Sequence, residues 1–253
     1  MIEPVSPEAP PLSGAVMMNQ DWRDLSFLHW AVEPSRVQHY LPPGVHPDTL
    51  DGATYVGLIP FRMVDAGVAR GRGVPWAGSF LETNVRLYSV DDTGRRGIVF
   101  LSLDTDRSVV VAGARGAFGL PYRWARMRYG VEVDGPAEVH TYDARLRWPG
   151  MRATSHVVVR AGAARPASPV DDFVSARWGL HVRWLGRTRY VPNTHGRWPI
   201  HDAEVLALDD GLLASVGLGE LARRPPDHVA FSPGVHTEFG FPGDARRPRL
   251  SAR

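Results

Sequence analysis

Phe80-Leu81-Glu82-Thr83-Asn84-Val85-Arg86-Leu87-Tyr88-Ser89-Val90 (FLETNVRLYSV, 80–90) is a run of strand-forming residues whose two faces differ in kind. Successive side chains of a strand point to opposite sides. Leu81, Val85 and Leu87 therefore share one face, and Glu82, Asn84, Arg86 and Tyr88 share the other. On an open sheet the polar face would turn to water. In a barrel covered on its outside by helices, the same face would point into the lumen and line a pocket. Glu82 and Arg86 would lie about 13 Å apart along such a strand. That is too far to pair as nearest neighbours, so each is left for another partner.

The rest of the chain favours a barrel. Leu25 to Val32, Ala53 to Phe61, Gly97 to Asp104, Ala137 to Arg145 and Ser155 to Arg160 are further runs of β-formers, divided by Gly, Pro and Asp. Helical candidates are few. Pro34 sits near the first turn of a short one that Leu41-Pro42-Pro43-Gly44 ends, and the others are Ser108 to Phe118, Val170 to Leu180 and Ala203 to Leu208. The expectation is a mainly β (α+β) fold, a closed antiparallel β-cone or barrel with a few peripheral helices. Residues 1–18, rich in Pro, Ser and Ala, read as a flexible arm or a strap across the surface. Residues 19–242 read as one domain, and 243–253 as a flexible tail that carries Arg246, Arg247, Arg249 and Arg253.

All 29 of the basic Lys+Arg residues are arginine, and cysteine is absent. An imine to a carbonyl substrate needs a primary amine that can lose its proton near neutral pH, which a guanidinium cannot supply. A lysine Schiff base is thereby excluded, as are disulfides, thiolate catalysis and sulfur-ligated zinc or iron–sulfur sites. The net charge is only +2 despite a pI of about 9.2, because little titrates between neutrality and high pH. The arginines are interleaved with acids, so nucleic acid is not an expected partner. No apolar run approaches the ~20 residues that a membrane span requires, and the first residues lack a signal-peptide pattern. A cytoplasmic protein without a membrane partner is expected. Neither cofactor nor metal is expected: the ten histidines show no HExxH-like spacing. His195 and His201 flank a turn able to roof a cavity.

Several blocks together resemble the YqjF-like bacterial proteins of the acetoacetate decarboxylase-like superfamily. They are WRDLSFLHWAVEPSRVQHYLPPGV (22–45), YVGLIPF (55–61), FLETNVRLY (80–88), GIVFLSLD (97–104), ARGAFGLPYRWARM (114–127) and HGRWPIHDAEV (195–205). The resemblance implies a closed β-cone with its ligand cavity inside. The superfamily's decarboxylases carry a small-aromatic-Pro-Lys-Lys motif whose first lysine forms the imine and whose second depresses its pKa. Here the matching segment is Gly119-Leu120-Pro121-Tyr122-Arg123, with Tyr122 in the place of the nucleophile and Arg123 in that of its neighbour. Phe80-Leu81-Glu82 fits the pattern of the superfamily's pocket glutamate, and Arg23-Asp24 that of its pocket arginine.

Two functions stand on this reading. In the first, the chain is an enzyme for an oxo or hydroxy acid, of lyase, dehydratase or cyclase type. Glu82 would move the proton, Tyr122 would orient the reacting oxygen, and Arg123 would hold developing charge. Arg23, Asn84 and Arg86 would bind the substrate. In the second, the chain is a non-catalytic carboxylate-binding protein that keeps the pocket. Loss of the lysine favours the binder; retention of Glu82 and Arg23 favours the enzyme. In either case the partner is a small molecule, and a homo-oligomer is left open.

Overall fold

The computed structural model describes residues 1–12 and 14–244, so the Arg246–Arg253 segment lies outside the described residues. The strands are β1 Val16–Val32, β2 Val45–Pro47, β3 Thr54–Val68, β4 Phe80–Asp91, β5 Arg96–Thr105, β6 Tyr122–Asp134 and β7 Ala137–Leu146. They continue with β8 Thr154–Ala164, β9 Gly179–Trp184, β10 Arg187–His195, β11 His201–Asp210, β12 His228–Gly240 and β13 Gly243–Asp244. Three α-helices accompany them among the described residues: α1 Pro34–Val37, α2 Ser108–Phe118 and α3 Pro169–Ser175. None is long and apolar enough to cross a membrane.

All the strands belong to one sheet, and it closes twice. One ring runs β5-β4-β3-β1-β12-β10-β9 and back to β5, through the β10–β12 and β5–β9 pairings. A second runs β5-β6-β7-β8-β11-β12-β1-β3-β4 and back to β5. Strands β5, β4, β3, β1 and β12 are common to both, so they form a wall with a lumen on each side. That wall explains the decisive strand. Val85 and Leu87 face the nine-strand ring, packed with Leu28, Trp30, Val56 and Leu58, while Glu82, Asn84 and Arg86 face the seven-strand ring. From Phe80 to Asp91 every residue except Leu81 is buried.

The expected cone is therefore present but differs in several ways. The face opposite the polar one is covered by a second ring of strands rather than by helices. The sheet is mixed, since β5 pairs in parallel with both β6 and β9. Helix α2 is the crossover that a parallel β5–β6 pair requires, and Gly119, left-handed at φ 66°, ends it. Finally, the candidate helix Ala203 to Leu208 lies in β11, where pairing with β8 overrides the helical preference of its Ala and Leu residues. Helix α3 is shorter than its Val170–Leu180 candidate. A capping box between Ser168 and Asp171 starts it, and it stops at Ser175 so that β9 can begin at Gly179.

β1 begins at Val16, inside the segment read as an arm. The residues before it strap the surface: the Glu3 amide donates to the Gly94 carbonyl at 2.8 Å, and Trp178 Nε1 donates to the Ser6 carbonyl at 3.1 Å.

Candidate functional site

The lumen of the seven-strand ring holds a cavity of about 480 Å³. Its walls are mostly apolar, built from inward positions of β1, β3 and β5 such as Leu25, Ile59, Phe61, Met63 and Leu103. Its polar strip is Gln20, Glu82, Asn84, Arg86 and Tyr122, and among the described residues Arg86 is the only cation lining it.

Glu82 is buried and accepts a hydrogen bond from the Tyr122 hydroxyl at 2.9 Å. Burial pushes its carboxyl up to about 8, with hydrogen bonds from Tyr122 and Asn84 opposing the rise and the charge of Asp104 adding to it. At neutral pH Glu82 is thus a protonated acid, able to give a proton into the cavity and to take it back. Tyr122 is pushed well above the usual phenol range by its own burial and by Glu82, so it stays a neutral donor. The Asn84 Oδ1 is buried without a hydrogen-bond partner among the described residues. An unmet buried acceptor costs about 1–3 kcal/mol, and a ligand hydroxyl or enol in the cavity would remove that cost. Tyr122→Phe should raise the Glu82 pKa further, since it deletes a donor to the anion. The protonated-carboxyl stretch in infrared spectra should then persist to higher pH than in the wild type.

Arg86 ends a chain of buried groups. Its Nε donates to the Tyr88 hydroxyl at 2.9 Å, and its Nη2 to the Val174 carbonyl at 3.1 Å. Tyr88 meets His29 Nε2 at 2.6 Å, His29 Nδ1 meets His228 Nδ1 at 3.1 Å, and His228 Nε2 meets Asp171 Oδ1 at 2.8 Å. Burial, with His228 and Arg86 adding to it, lowers the His29 pKa well below its ordinary value. For Asp171, burial would raise the pKa, but bonds from His228, Arg165 and Ser168 outweigh it and hold the carboxyl well below the usual range. At the two ends the directions are fixed: Arg86 Nε donates to the Tyr88 hydroxyl, and the Asp171 anion accepts from His228 Nε2. Gly57 pairs with both His29 and Arg86, and a Cβ there would lie 3.0 Å from His29 Nε2, so the chain needs glycine at that point.

Among the described residues no carboxylate is within ion-pair reach of Arg86. A buried guanidinium that faces a cavity without a counter-ion is able to hold an anion. Tyr88→Phe should cost about 1–3 kcal/mol, because it leaves Arg86 Nε without an acceptor. For a chain of this size, melting should fall by roughly 2–12 °C.

Comparison with known proteins agrees with this architecture. Residues 19–236 match the DUF2071 family, described as "Uncharacterized conserved protein (COG2071)". The chain belongs to this family. It is also similar to the uncharacterized protein YqjF of Bacillus subtilis (strain 168), with 28% identity over 191 residues, 76% of this chain and 78% of that protein. Among solved structures, the enduracididine biosynthesis enzyme MppR complexed with pyruvate superposes with a TM-score of 0.59 at 16% identity, over 92% of each chain. The acetoacetate decarboxylase of Legionella pneumophila superposes with a TM-score of 0.54 at 13% identity, also over 92% of each chain. At these identities the likeness establishes the fold, which is acetoacetate decarboxylase-like.

Not every position that the superfamily pattern singled out reaches the cavity of this DUF2071 protein. Glu82, Asn84, Arg86 and Tyr122 line it together. Arg23 does not: its side chain is 45% exposed and paired with Asp21 at 3.2 Å. The cause is a β-bulge. Gln20 and Trp22 point inward, then β1 gains one residue on β3 between Arg23 and Leu28, with Asp24 left-handed at φ 52°, and Leu25 points inward again. Arg23 is on the outward phase.

Arg123 is one residue beyond Tyr122 and so projects through the wall toward the other ring. There its guanidinium grips Asp104 with two bonds of 2.6 and 2.7 Å, and Nη1 donates to Ser215 at 2.9 Å. Its charge is spent on that pair. His195 is buried against Trp178 and Trp198, and His201 bonds the Gly162 carbonyl at a partly exposed edge; neither lines the cavity. The sequence reading missed His29, His228, Asp171 and Gln20. His29 had a signal, a lone polar residue on the Leu25–Phe27 face of a strand.

Proposed function

We propose that this protein is an enzyme acting on an oxo or hydroxy acid inside the seven-strand ring, by acid–base chemistry of the lyase, dehydratase or cyclase type and without a covalent imine. The observation that carries the reading is the pairing, in one apolar cavity, of a buried carboxyl hydrogen-bonded to a phenol with a buried guanidinium that has no counter-ion among the described residues. Arg86 binds the substrate carboxylate, and Asn84 accepts from its hydroxyl or enol. Glu82 delivers a proton to the reacting atom and recovers it, while the Tyr122 phenol stabilises the Glu82 anion between the two steps. The decarboxylase and MppR structures, the latter with pyruvate bound, support a carbonyl acid as the ligand class.

Exchange of substrate α-hydrogens in D2O tests the proton transfer without knowledge of the full reaction. A panel of 2-oxo and 3-oxo acids should include one whose α-exchange the protein accelerates. Glu82→Gln should reduce that acceleration by roughly 10²–10⁴-fold while leaving binding intact. Arg86→Met should abolish binding of the same acid. If Arg86-dependent binding occurs but no acid exchanges, the protein is a carboxylate binder that has kept only the pocket.

A further inference from the structure

The cavity is larger and more apolar than a short oxo acid requires. At about 30 Å³ per water-sized group, its 480 Å³ accommodates on the order of sixteen non-hydrogen atoms. Pyruvate has six. Glu82, Asn84 and Arg86 occupy one stretch of β4, with Tyr122 bonded to Glu82, and beyond them the channel lining is apolar except for Gln20 of β1. In register, Arg86 opposes Gly57, Glu82 opposes Phe61 and Phe80 opposes Met63. The channel then passes Ala66 and Val68 at the end of β3, and Val74 and Ala77 of the following loop. Arg86 is thus at one end and Val68 at the other, with Glu82 between them.

The open end presents apolar side chains beside Arg72 and the Asp106–Arg107 ion pair. Val68 is 73% exposed and Val74 45% exposed, and both line the channel. Trp76, 83% exposed, belongs to the same loop and shares a surface hollow with Val109 of α2. Large apolar side chains gathered at a cavity mouth are what an apolar ligand passes on entry. Met17, Met18 and Met63 also line the channel, and unbranched thioethers adapt to a flexible chain. Among the described residues one cation lines the cavity itself, so the inner site matches one carboxylate.

We infer that the substrate is a medium-chain oxo or hydroxy acid of about ten to twelve carbons, its carboxylate on Arg86 and its apolar tail directed past Glu82 toward Val68 and Val74. The inference rests on the proposed role of Arg86 and adds the tail.

Calorimetric titration of the full chain with 2-oxo acids of three, six, eight, ten and twelve carbons, below their micellar concentrations, tests it. Affinity should rise about fourfold per added methylene and level off near the length that fills the channel. Ala114→Phe, which fills the channel from α2, should move that plateau to shorter chains. Binding that requires Arg86 but is flat with chain length overturns the tail and leaves the acid–base site standing. Binding that rises with length equally in Arg86→Met overturns the carboxylate site, and with it the proposed function. Absence of binding by every acid overturns both.

Discussion

Glu82→Gln should be markedly more stable than the wild type at alkaline pH. In the folded protein the Glu82 carboxyl holds its proton up to about 8, whereas its ordinary value is 4.5. Between those two values the native state binds one more proton than the unfolded chain, so wild-type stability falls as pH rises through the interval. The contribution is fully present below pH 4.5 and gone above pH 8. Glutamine keeps an acceptor for Tyr122 and cannot ionise, so the variant escapes the loss. The stability gap in favour of Glu82→Gln should open across this window and flatten above it, reaching about 5 kcal/mol. Urea unfolding of both proteins at pH 5, 7 and 9 measures it. Parallel pH profiles would show that Glu82 is ionised in the native state, and the general-acid role would fall with that.

Asp104→Ala should cost nearly as much, for a different reason. Among the described residues the substitution leaves the buried Arg123 guanidinium only Ser215 and the Met151 sulfur as side-chain partners. Removing one partner of a buried pair costs about 3–5 kcal/mol because the other charge is left uncompensated. At roughly 2–4 °C per kcal/mol for a chain of this length, melting should fall by roughly 6–20 °C. Replacing both partners together, as Asp104→Leu with Arg123→Met, should restore most of the loss, since apolar isosteres of a buried pair are often neutral. A fall in melting of less than 2 °C for Asp104→Ala would return Arg123 to the list of groups free for catalysis.

The site was legible where one strand sufficed to define it. Alternation along residues 80–88 put Glu82, Asn84 and Arg86 on one face, and that face is the cavity wall. Arg23 was placed wrongly because a single extra residue near Asp24 reverses the phase of β1, and no composition signal marks a bulge held by an aspartate. Arg123 followed the superfamily pattern into the right segment, yet one step along a strand crosses from one ring to the other. The double closure depends on pairs such as Ile98 with Leu180 and Asn193 with Phe239, which join distant parts of the chain and leave no local trace. The same holds for the His228–Asp171 link, 57 residues apart.

The buried chain from Arg86 to Asp171 has ends of opposite sign. A guanidinium can only donate and a carboxylate anion can only accept, so Arg86 gives to Tyr88 at one end and Asp171 receives from His228 at the other. A carboxylate arriving at Arg86 completes a line of charges that already alternates, negative at Asp171, positive at the guanidinium, negative at the ligand.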